Sequence, residues 1–394
     1  MIEELLGRKQ SLFADDFNEH IREIKAKAQK SVFLIVGGAG TIGSAVIKQL
    51  VELDAKEILV VDLSENNLVS LIRDIRSGKK QIISHIETFA IDCGSIEFEH
   101  LFHSIAKIDY ILNFAAIKHV RSERNVFTLK RLIDVNVVNS INLAKLAHQK
   151  DCKGYFCVST DKATNPVNMM GASKLLMEKF AFSFADHLKI SSARFANVAF
   201  SDGSLLFGFN QRISNQQPLA IPTDIKRYFV SSLEAARLCL LSCFMTHSGE
   251  ILIPKLTKDF RDHSLVEMTN RYLKMKGFLP LAFEKEEEAR NAFDASIKSG
   301  QWPCFYFRSE TTGEKEIEEF YSKDDVVDFE RFKDLGVISY RHEGSGLDFQ
   351  SFERQFASLI KKKKWDKKDF VSLFKEYLPE FQHIETNKNL DQKM

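Results

Sequence analysis

A hydroxyl, a carboxylate and an amine stand side by side in the middle of the chain, at Thr160, Asp161 and Lys162. The apolar run that precedes them, from Gly154 to Val158, favours a β-strand, and α/β sheets place their chemistry at the carboxyl ends of their strands. A carboxyl group and an amine that share a pocket can give and take protons during a reaction. The alternative is a capping threonine beside a solvated Asp-Lys pair, which is the usual meaning of an isolated Thr-Asp-Lys.

Met170 and Lys174 follow a proline-containing loop and open a helical pattern. Because they are four positions apart, their side chains face the same way on a helix. The order of strand, polar cluster, loop and helix therefore predicts one site that combines Met170 and Lys174 with the Thr-Asp-Lys cluster.

A glycine-rich loop near the start of the chain predicts a dinucleotide-binding site. It follows an apolar strand predicted over 31–36 and leads into a helix predicted from Thr41 to about Leu53. Glycines let the backbone turn tightly and approach a pyrophosphate, and the helix N-terminus offers unpaired N–H groups to the phosphates. The cofactor-binding residues predicted in this loop are Gly37, Gly40, Thr41, Ile42 and Gly43.

Two acids that follow the next two predicted strands extend the dinucleotide prediction. Asp62 ends the strand predicted over 57–61, where a carboxylate would accept hydrogen bonds from the adenosine ribose hydroxyls. A carboxylate there favours NAD over NADP because it repels a 2′-phosphate, although NADP stays possible. Asp62 is alternatively a helix N-cap, a part that Ser64 could also play. Asp92, after the third predicted strand, is placed to meet the adenine amino group.

Asn113 lies near the end of the fourth predicted strand, and the small residues Ala115 and Ala116 follow it. Small residues let a cofactor lie against the backbone, so Asn113, Ala115 and Ala116 are predicted to bind the cofactor. Lys118 comes next and is a candidate for contact with both the cofactor and the substrate. His119 beside it is more often a positioning or surface residue than a general base in such a place.

The alternation of predicted strands and helices up to about residue 200 implies an α/β fold. We expect a doubly wound parallel sheet of the Rossmann type with right-handed crossovers. The expected divisions are a helical extension at 1–30, a cofactor-binding domain at 31–200, a substrate-binding lobe at 201–345 and a helical tail at 346–394. Some segments of the lobe are expected to return to the cofactor-binding domain.

Composition excludes several classes of function. A hydrophobic content of 44% is ordinary for a globular protein, and a net charge of +1 gives no sign of a nucleic-acid partner. The six cysteines are scattered without a Cys-x-x-Cys pair, which fits buried thiols in a reducing cytoplasm, and we predict no metal site. No apolar run approaches the roughly 20 residues that span a bilayer, so no membrane span is predicted.

Five segments together carry a resemblance to a known family: GGAGTIGS, NFAAIKHV, VSTDKATNPVNMMGASK, RFANV and GEILIPK. They resemble the extended short-chain dehydrogenase/reductases that are nucleotide-sugar 4,6-dehydratases, and above all the UDP-N-acetylglucosamine 4,6-dehydratases of surface-polysaccharide and glycan biosynthesis. The resemblance covers roughly residues 30–340, and TDK-NP-MGASK is its most specific part. It implies a UDP-sugar substrate, a tightly bound NAD(P) and a hydro-lyase reaction.

The resemblance also implies roles for the central residues. Thr160 takes the hydroxyl place of the superfamily's triad, Asp161 helps to expel the C6 hydroxyl, and Lys162 removes the C5 proton. Lys174 holds the nicotinamide ribose. Most of the superfamily has Tyr where this chain has Met170, and a thioether cannot take a proton. The base for the C4 hydroxyl is therefore left open between Thr160 with Asp161 or Lys162, and a water molecule.

On the substrate side, the resemblance implies contacts from the lobe and its borders. The residues implied are Asn197, Arg227, Lys255, Glu314 and Lys315, in addition to Lys118. Arg227, Lys255 and Lys315 could meet a diphosphate, although each is as plausible as a surface charge.

Other functions stay open on the same scaffold. One is a nucleotide-sugar epimerase or 4-ketoreductase, and another is a non-catalytic NAD-binding regulator. Regulators of that kind lose the active-site lysine, whereas Asp161, Lys162 and Lys174 are all present here. By the same resemblance we expect a homo-oligomer, a dimer or a hexamer, in which the helix at about 131–150 pairs across a two-fold axis with the helix that carries Met170.

Overall fold

The computed structural model describes residues 2–8, 10–78, 81–258, 260–309, 318–340 and 348–385. The strands are β1 (Val32–Val36), β2 (Glu57–Asp62), β3 (His85–Ala90), β4 (Tyr110–Asn113), β5 (Gly154–Thr160), β6 (Ile190–Phe195), β7 (Asn197–Val198), β8 (Leu219–Pro222), β9 (Lys226–Arg227), β10 (Phe229–Val230), β11 (Glu250–Pro254), β12 (His263–Ser264), β13 (Leu279–Phe283), β14 (Gln301–Phe307), β15 (Val327–Asp328) and β16 (Leu335–Ser339).

The α-helices are α1 (Ile2–Leu5), α2 (Ala14–Ala28), α3 (Thr41–Glu52), α4 (Glu65–Arg76), α5 (Ile96–Ser104), α6 (Val126–Ile133), α7 (Ser140–Gln149), α8 (Met169–Phe182), α9 (Leu205–Ser214), α10 (Ser232–Met245), α11 (Leu265–Met275), α12 (Glu286–Asn291), α13 (Phe293–Lys298), α14 (Phe349–Ile360) and α15 (Lys367–Tyr377). Short 3-10 helices span Val120–Glu123 and Asp161–Ala163, and a π-helical segment spans Asp134–Asn139.

Nine strands form the main sheet in the order β15-β16-β11-β6-β5-β4-β1-β2-β3. Neighbouring strands from β11 to β3 pair in parallel, whereas β16 and β15 are antiparallel to their neighbours. The predicted α/β fold with a parallel, doubly wound sheet is therefore confirmed. The prediction succeeds because strands such as β1 are apolar and buried at every position, as expected where helices cover both faces of a sheet.

The order in which the chain adds strands to the sheet reverses between β1 and β4. The chain adds β2 and β3 on one side of β1, and it adds β4, β5 and β6 on the other side. Connections that leave in opposite directions open a crevice at the carboxyl ends of the two central strands, where ligands of such sheets bind. The glycine-rich loop follows β1 and therefore lies at this crevice.

Two element boundaries differ from the predictions. The sequence over 192–198 predicts one sixth strand, but β6 ends at Phe195, and β7 leaves the main sheet to pair with β10. The helix expected at about 131–150 begins earlier, at Val126, because the side chain of Asn125 caps it by accepting from Phe127 N. Helix α6 then runs through the π-helical segment into α7.

A smaller apolar cluster is built around a second sheet, in the order β13-β14-β8. It includes buried residues of α9 and α11 and, from the start of the chain, Leu5 and Leu6. The strands β11 and β16 return from this half of the chain to the main sheet. The divisions at 30, 200 and 345 stay predictions.

Helices α14 and α15 pack on α7 and α8 through a cluster of aromatic rings. The Phe180 ring of α8 has its centroid 5.3 Å from Phe349, 5.5 Å from Phe352 and 5.8 Å from Tyr377. Lys145 of α7 places its Nζ 4.3 Å from the centroid of the Phe349 ring. Helices α7 and α8, to which the resemblance assigns the two-fold contact, thus also carry helices of the same chain.

Replacing Phe352 by alanine should lower the free energy of unfolding of the full chain by about 3–5 kcal/mol, because this ring is fully buried. Chemical denaturation measures the change. Leu279→Ala is the control: this side chain is 62% exposed, and its loss should change the free energy by no more than about 0.5 kcal/mol. Equal and small effects of both substitutions would show that α14 does not belong to the cooperative core.

The six cysteines are free thiols. Within the described ranges, no helix combines the length and the apolar character that crossing a bilayer requires.

Candidate active site

The carboxyl edge of the main sheet opens into a cavity of about 790 Å³, which is within the usual size range of small-molecule and cofactor sites. Most residues predicted for the site line this cavity. They are Gly37, Gly40, Thr41, Ile42, Gly43, Ala116, Lys118, Thr160, Asp161, Lys162, Met170, Lys174, Asn197 and Arg227. The glycine-rich loop and the Thr-Asp-Lys cluster therefore face one common space.

The glycine-rich loop makes two close backbone approaches that exclude any side chain. Gly37 has a φ of +72°, and a Cβ added there would lie 2.5 Å from the backbone N of Ala115. A Cβ on Gly43 would lie 2.5 Å from the carbonyl oxygen of Gly37. The loop delivers the N-terminus of α3 to the cavity, where its unpaired N–H groups suit a pyrophosphate. The residues present thus fit a dinucleotide.

Asp62 fastens this loop to the end of β2. Its Oδ2 accepts from Ala39 N at 2.9 Å and its Oδ1 accepts from Ser64 N at 2.9 Å. The N-cap of α4 is Ser64, whose side chain accepts from Asn67 N, so the capping interpretation of Asp62 is wrong. Asp62 does not line the cavity, and its contact with the cofactor ribose stays a prediction.

Asp92 and Asn113 also lie outside the cavity lining. The Asp92 carboxylate forms an ion pair with Arg131 at 2.6 Å. Asn113 is buried, and its amide nitrogen donates to Ser140 Oγ at 2.9 Å and to Tyr155 OH at 3.2 Å. Their contacts with the cofactor stay predictions.

Ala115 supports the glycine-rich loop through its backbone, and its N donates to Asn113 Oδ1 at 3.1 Å. The Lys255 ammonium donates to the carbonyl of Phe332 at 2.6 Å and does not reach the cavity lining. Its contact with a substrate stays a prediction. Glu314 and Lys315 lie outside the described residues.

A hydrogen-bonded cluster forms where β5 ends and the 3-10 turn begins. Thr160 Oγ1 donates to Asp161 Oδ1 at 2.7 Å, and Lys162 Nζ lies 3.1 Å from the same oxygen. Lys162 Nζ also lies 3.0 Å from Glu318 Oε1. Arg227 completes the cluster with its Nε 3.4 Å from that oxygen of Glu318. Two acids and two cations therefore share one wall of the cavity.

In each carboxylate of this cluster, one oxygen is available to a ligand. Asp161 is fully buried and Glu318 is 4% exposed, and both line the cavity. Among the described residues, neither Asp161 Oδ2 nor Glu318 Oε2 has a hydrogen-bond partner. A buried acceptor without a partner is costly, so these oxygens are suited to bind a ligand or a proton.

The charges within the cluster influence the protonation of Lys162 and Glu318. Burial by itself would lower the pKa of the Lys162 ammonium, but the charges of Asp161 and Glu318 outweigh it and raise that pKa above its ordinary value. Burial, together with the charge of Asp161, raises the pKa of Glu318. In the cavity without substrate, Lys162 is therefore an ammonium group and cannot act as a base.

Met170 and Lys174 lie on α8 and both line the cavity, as the helical spacing predicts. The Lys174 ammonium donates to the Val158 carbonyl at 3.1 Å. Burial lowers the pKa of Lys174 to about 8. Met170 is 3% exposed and adds a thioether without proton chemistry.

Lys118 lies near the junction of the glycine-rich loop and the lobe. Its Nζ is 3.4 Å from Ser201 Oγ, and burial lowers its pKa, against the charge of Asp202. The backbone N of Asp202 donates to Thr41 Oγ1 at 3.2 Å, which ties the lobe to the start of α3. His119 lines the cavity beside Lys118.

The sequence interpretation missed Glu318 and the C-terminal segment. Ile384 N donates to the Val167 carbonyl at 2.9 Å, and Glu385 lines the cavity. His383 Nε2 lies 3.2 Å from Glu123 Oε1. Glu318 lies four residues after Glu314, which was predicted for the site, and composition cannot tell which acid of such a run turns inward.

A family described as "Polysaccharide biosynthesis protein" matches residues 33–339 of the chain. An uncharacterized membrane protein of Methanocaldococcus jannaschii is 30% identical over 345 residues, which make up 84% of this chain and 92% of that protein. A Campylobacter jejuni protein named UDP-N-acetylglucosamine 4,6-dehydratase (inverting) is 27% identical over 234 residues, 57% of this chain and 66% of that protein. The chain spans 50% and 45% of the length of two further curated relatives named for polysaccharide biosynthesis.

The fold is similar to that of a UDP-glucuronic acid 4-epimerase of Bacillus cereus, whose structure contains UDP-glucuronic acid and NAD. The TM-score is 0.56 at 16% identity, and the match covers 74% of this chain and 90% of the epimerase. At this level of identity the likeness is one of fold.

Proposed function

Because the chain belongs to the polysaccharide biosynthesis protein family, we propose that it is a nucleotide-sugar 4,6-dehydratase. Its proposed substrate is UDP-N-acetylglucosamine, and its product is the UDP-4-keto-6-deoxy-N-acetylhexosamine. The observation that carries the proposal is that Asp161 and Lys162 face the same cavity as the glycine-rich loop. The name of the Campylobacter jejuni relative supports this choice of substrate.

The proposed cofactor is NAD, with NADP as the less favoured choice. When bound, it supplies the acceptor for the C4 hydride and returns that hydride to C6. The glycine-rich loop and the N-terminus of α3 would hold its pyrophosphate, and Lys174 would hold the nicotinamide ribose. The similar fold of an epimerase that contains NAD supports this assignment.

The residues of the cluster divide the proton transfers among them. The C4 ketone acidifies the C5–H bond, and Lys162 removes the C5 proton as a neutral amine. The hydrogen bond from Thr160 to Asp161 offers a path for the C4 hydroxyl proton to reach Asp161. Asp161 then gives this proton to the departing C6 oxygen, so that water leaves and Asp161 is again a carboxylate. Met170 needs no proton role in this scheme.

The function is tested with UDP-N-acetylglucosamine in deuterated water. Mass spectrometry of the product should show the loss of one water, and NMR should show a C6 methyl group and deuterium at C5. The same product spectrum reports whether C5 is retained or inverted. Formation of an isomer without loss of water would overturn the dehydratase proposal.

A 4-epimerase is the second candidate, because the fold is similar to that of an epimerase and the cavity could hold the same class of substrate. It predicts an isomer of unchanged mass from the same incubation. A chain that bound NAD and converted no nucleotide sugar would instead be a regulator. The buried acids beside Lys162 favour the dehydratase, since an epimerase does not expel the C6 hydroxyl and needs no acid to protonate it.

NAD affinity should depend on pH through Lys174. If the protonated amine donates to the nicotinamide ribose, binding favours the protonated form, whose pKa in the empty site is about 8. Affinity should be constant below that pKa and fall as the pH rises above it. Calorimetric titration with NAD across this range checks the result. Lys174→Met should bind NAD more weakly and lose this pH dependence, and an unchanged dependence in that variant would exclude Lys174 as the cause.

We also propose a cytoplasmic location, in keeping with six cysteines that are free thiols.

A homo-oligomer stays part of the proposal, but its two-fold interface has to accommodate α14 and α15, which lie on α7 and α8. Light scattering of the full chain determines the number of copies.

A further inference from the structure

Lys162 can serve as the C5 base only if it first loses a proton. The structure holds its ammonium group between two carboxylates, 3.1 Å from Asp161 Oδ1 and 3.0 Å from Glu318 Oε1. Among the described residues, Arg227 is the other charged group at this place, and a cation cannot accept the proton. Of these residues, the acceptor is therefore Asp161 or Glu318, and water is the alternative.

Asp161 is the less suitable acceptor. Its Oδ1 already accepts hydrogen bonds from Thr160 and from Lys162. In the proposed scheme Asp161 also carries the proton that moves from the C4 hydroxyl to the C6 oxygen. A carboxyl group that already held the proton of Lys162 could not take that second proton.

Glu318 has the properties that the acceptor needs. It is buried, it contacts Lys162 directly, and its Oε2 has no hydrogen-bond partner among the described residues. Burial and the neighbouring charge of Asp161 both disfavour its charged form. When a substrate fills the cavity and displaces water, a neutral amine beside a neutral acid becomes more favourable relative to the ion pair.

We propose that Glu318 accepts the proton of Lys162 and thereby converts that residue into the C5 base. This inference rests on the proposed function. The N–H bond of the ammonium breaks and an O–H bond forms on Glu318, which leaves a neutral amine and a neutral acid. The amine then takes the C5 proton as the C6–O bond breaks, and it returns a proton to C5 when C6 has received its hydride. Glu318 finally gives its proton back, so the pair ends as it began.

The test compares Glu318→Gln with Glu319→Gln, a matched change at the adjacent, exposed acid. At neutral pH, Glu318→Gln should lower kcat by about 100-fold, the scale of a lost acid–base group, while Glu319→Gln should not. The rate of Glu318→Gln should recover as the pH rises, because Lys162 can then lose its proton to solvent. A loss that is equal at every pH would mean a structural role, and a kcat within about threefold of Glu319→Gln at neutral pH would overturn the proposal.

A second measurement does not depend on turnover. Lysine labelled with ¹³C at Cε, with Lys162→Met to identify the resonance, reports the titration of Lys162 in the chain without substrate. The pKa of Lys162 should be lower in Glu318→Gln than in the wild type or Glu319→Gln, because one of its two anionic neighbours is lost. An unchanged pKa overturns the inference. If the wild type forms no 4-keto-6-deoxy sugar, the proposed function fails, and this titration still decides whether the two groups are coupled.

Discussion

Replacing Lys162 by methionine should lower kcat for the 4-keto-6-deoxy product by about 10²–10⁴-fold, the range expected for the loss of a positioned base. Methionine keeps most of the length of the side chain and removes only the amine. The variant should still bind NAD, because the glycine-rich loop and α3 do not depend on this side chain. The C5 position should not exchange its proton for deuterium, since no other base is assigned to it.

The electrostatic consequence of this change is local. Without the ammonium group, the buried carboxylates of Asp161 and Glu318 lose the cation that contacts both of them, and among the described residues Arg227 is the cation left beside Glu318. Two negative charges in one buried site cannot easily both persist, so one of the two acids should become protonated. Raising the pH therefore cannot restore the activity of Lys162→Met, whereas it should restore that of Glu318→Gln.

The control for this prediction is Lys226→Met, a neighbour of Arg227 whose side chain is 63% exposed. Its 3.8 Å ion pair with Asp262 lies at the surface, where such pairs contribute little. Mass spectrometry of the product and circular dichroism of both variants separate loss of chemistry from loss of fold. Turnover in Lys162→Met within about tenfold of that in Lys226→Met would exclude Lys162 as the C5 base.

The parts of the site that the sequence predicts are those that local rules determine. The glycine-rich loop is recognisable because an apolar strand, closely spaced glycines and a helix start follow one another without interruption. Thr160 and Lys162 are recognisable because the strand ends next to them, and parallel strands carry such residues to one edge. The spacing of Met170 and Lys174 likewise needs only the period of a helix.

The parts that the sequence does not predict depend on contacts between distant segments. Glu318 and Lys162 are brought together by the fold, and no periodicity of either segment indicates the contact. The position of Asp62 predicts a ribose ligand, and it does not indicate the hydrogen bonds that its two oxygens accept from the backbone N–H groups of Ala39 and Ser64. The charge of Lys255 predicts contact with a diphosphate, and it does not indicate the hydrogen bond that the ammonium donates to the Phe332 carbonyl. The sequence shows which residues are charged, and only the folded structure shows which groups their side chains contact.

Gly171→Ala should disrupt catalysis through the backbone alone. A Cβ added to this residue, in the first turn of α8, would lie 2.2 Å from the carbonyl oxygen of Lys162. Both sides of this contact are held by backbone structure, the helix on one side and the 3-10 turn Asp161–Ala163 on the other. Either the turn or the helix must therefore move, and with it Lys162 or Lys174.

A displacement of about 1 Å in a catalytic group can cost about 100-fold in rate, and we expect a fall of that size in kcat for Gly171→Ala. The free energy of unfolding should fall by only about 1–3 kcal/mol, the usual effect of a forced steric contact. Product formation and chemical denaturation of the same preparation provide the two values. A folded variant that lost activity would show that the close approach serves the position of Lys162 or Lys174.

Gly208→Ala is the matched control, because this glycine lies within α9 and, in the described part of the chain, no atom beyond its own helix and chain neighbours is within 4 Å of an added Cβ. Alanine there should leave kcat unchanged and stabilise the chain by up to about 1 kcal/mol, the difference in helix propensity. If Gly171→Ala kept the kcat of Gly208→Ala, the turn that carries Lys162 would tolerate the shift. The position of the amine would then have to be set by its two carboxylate neighbours, and the contact between α8 and the turn would serve only packing.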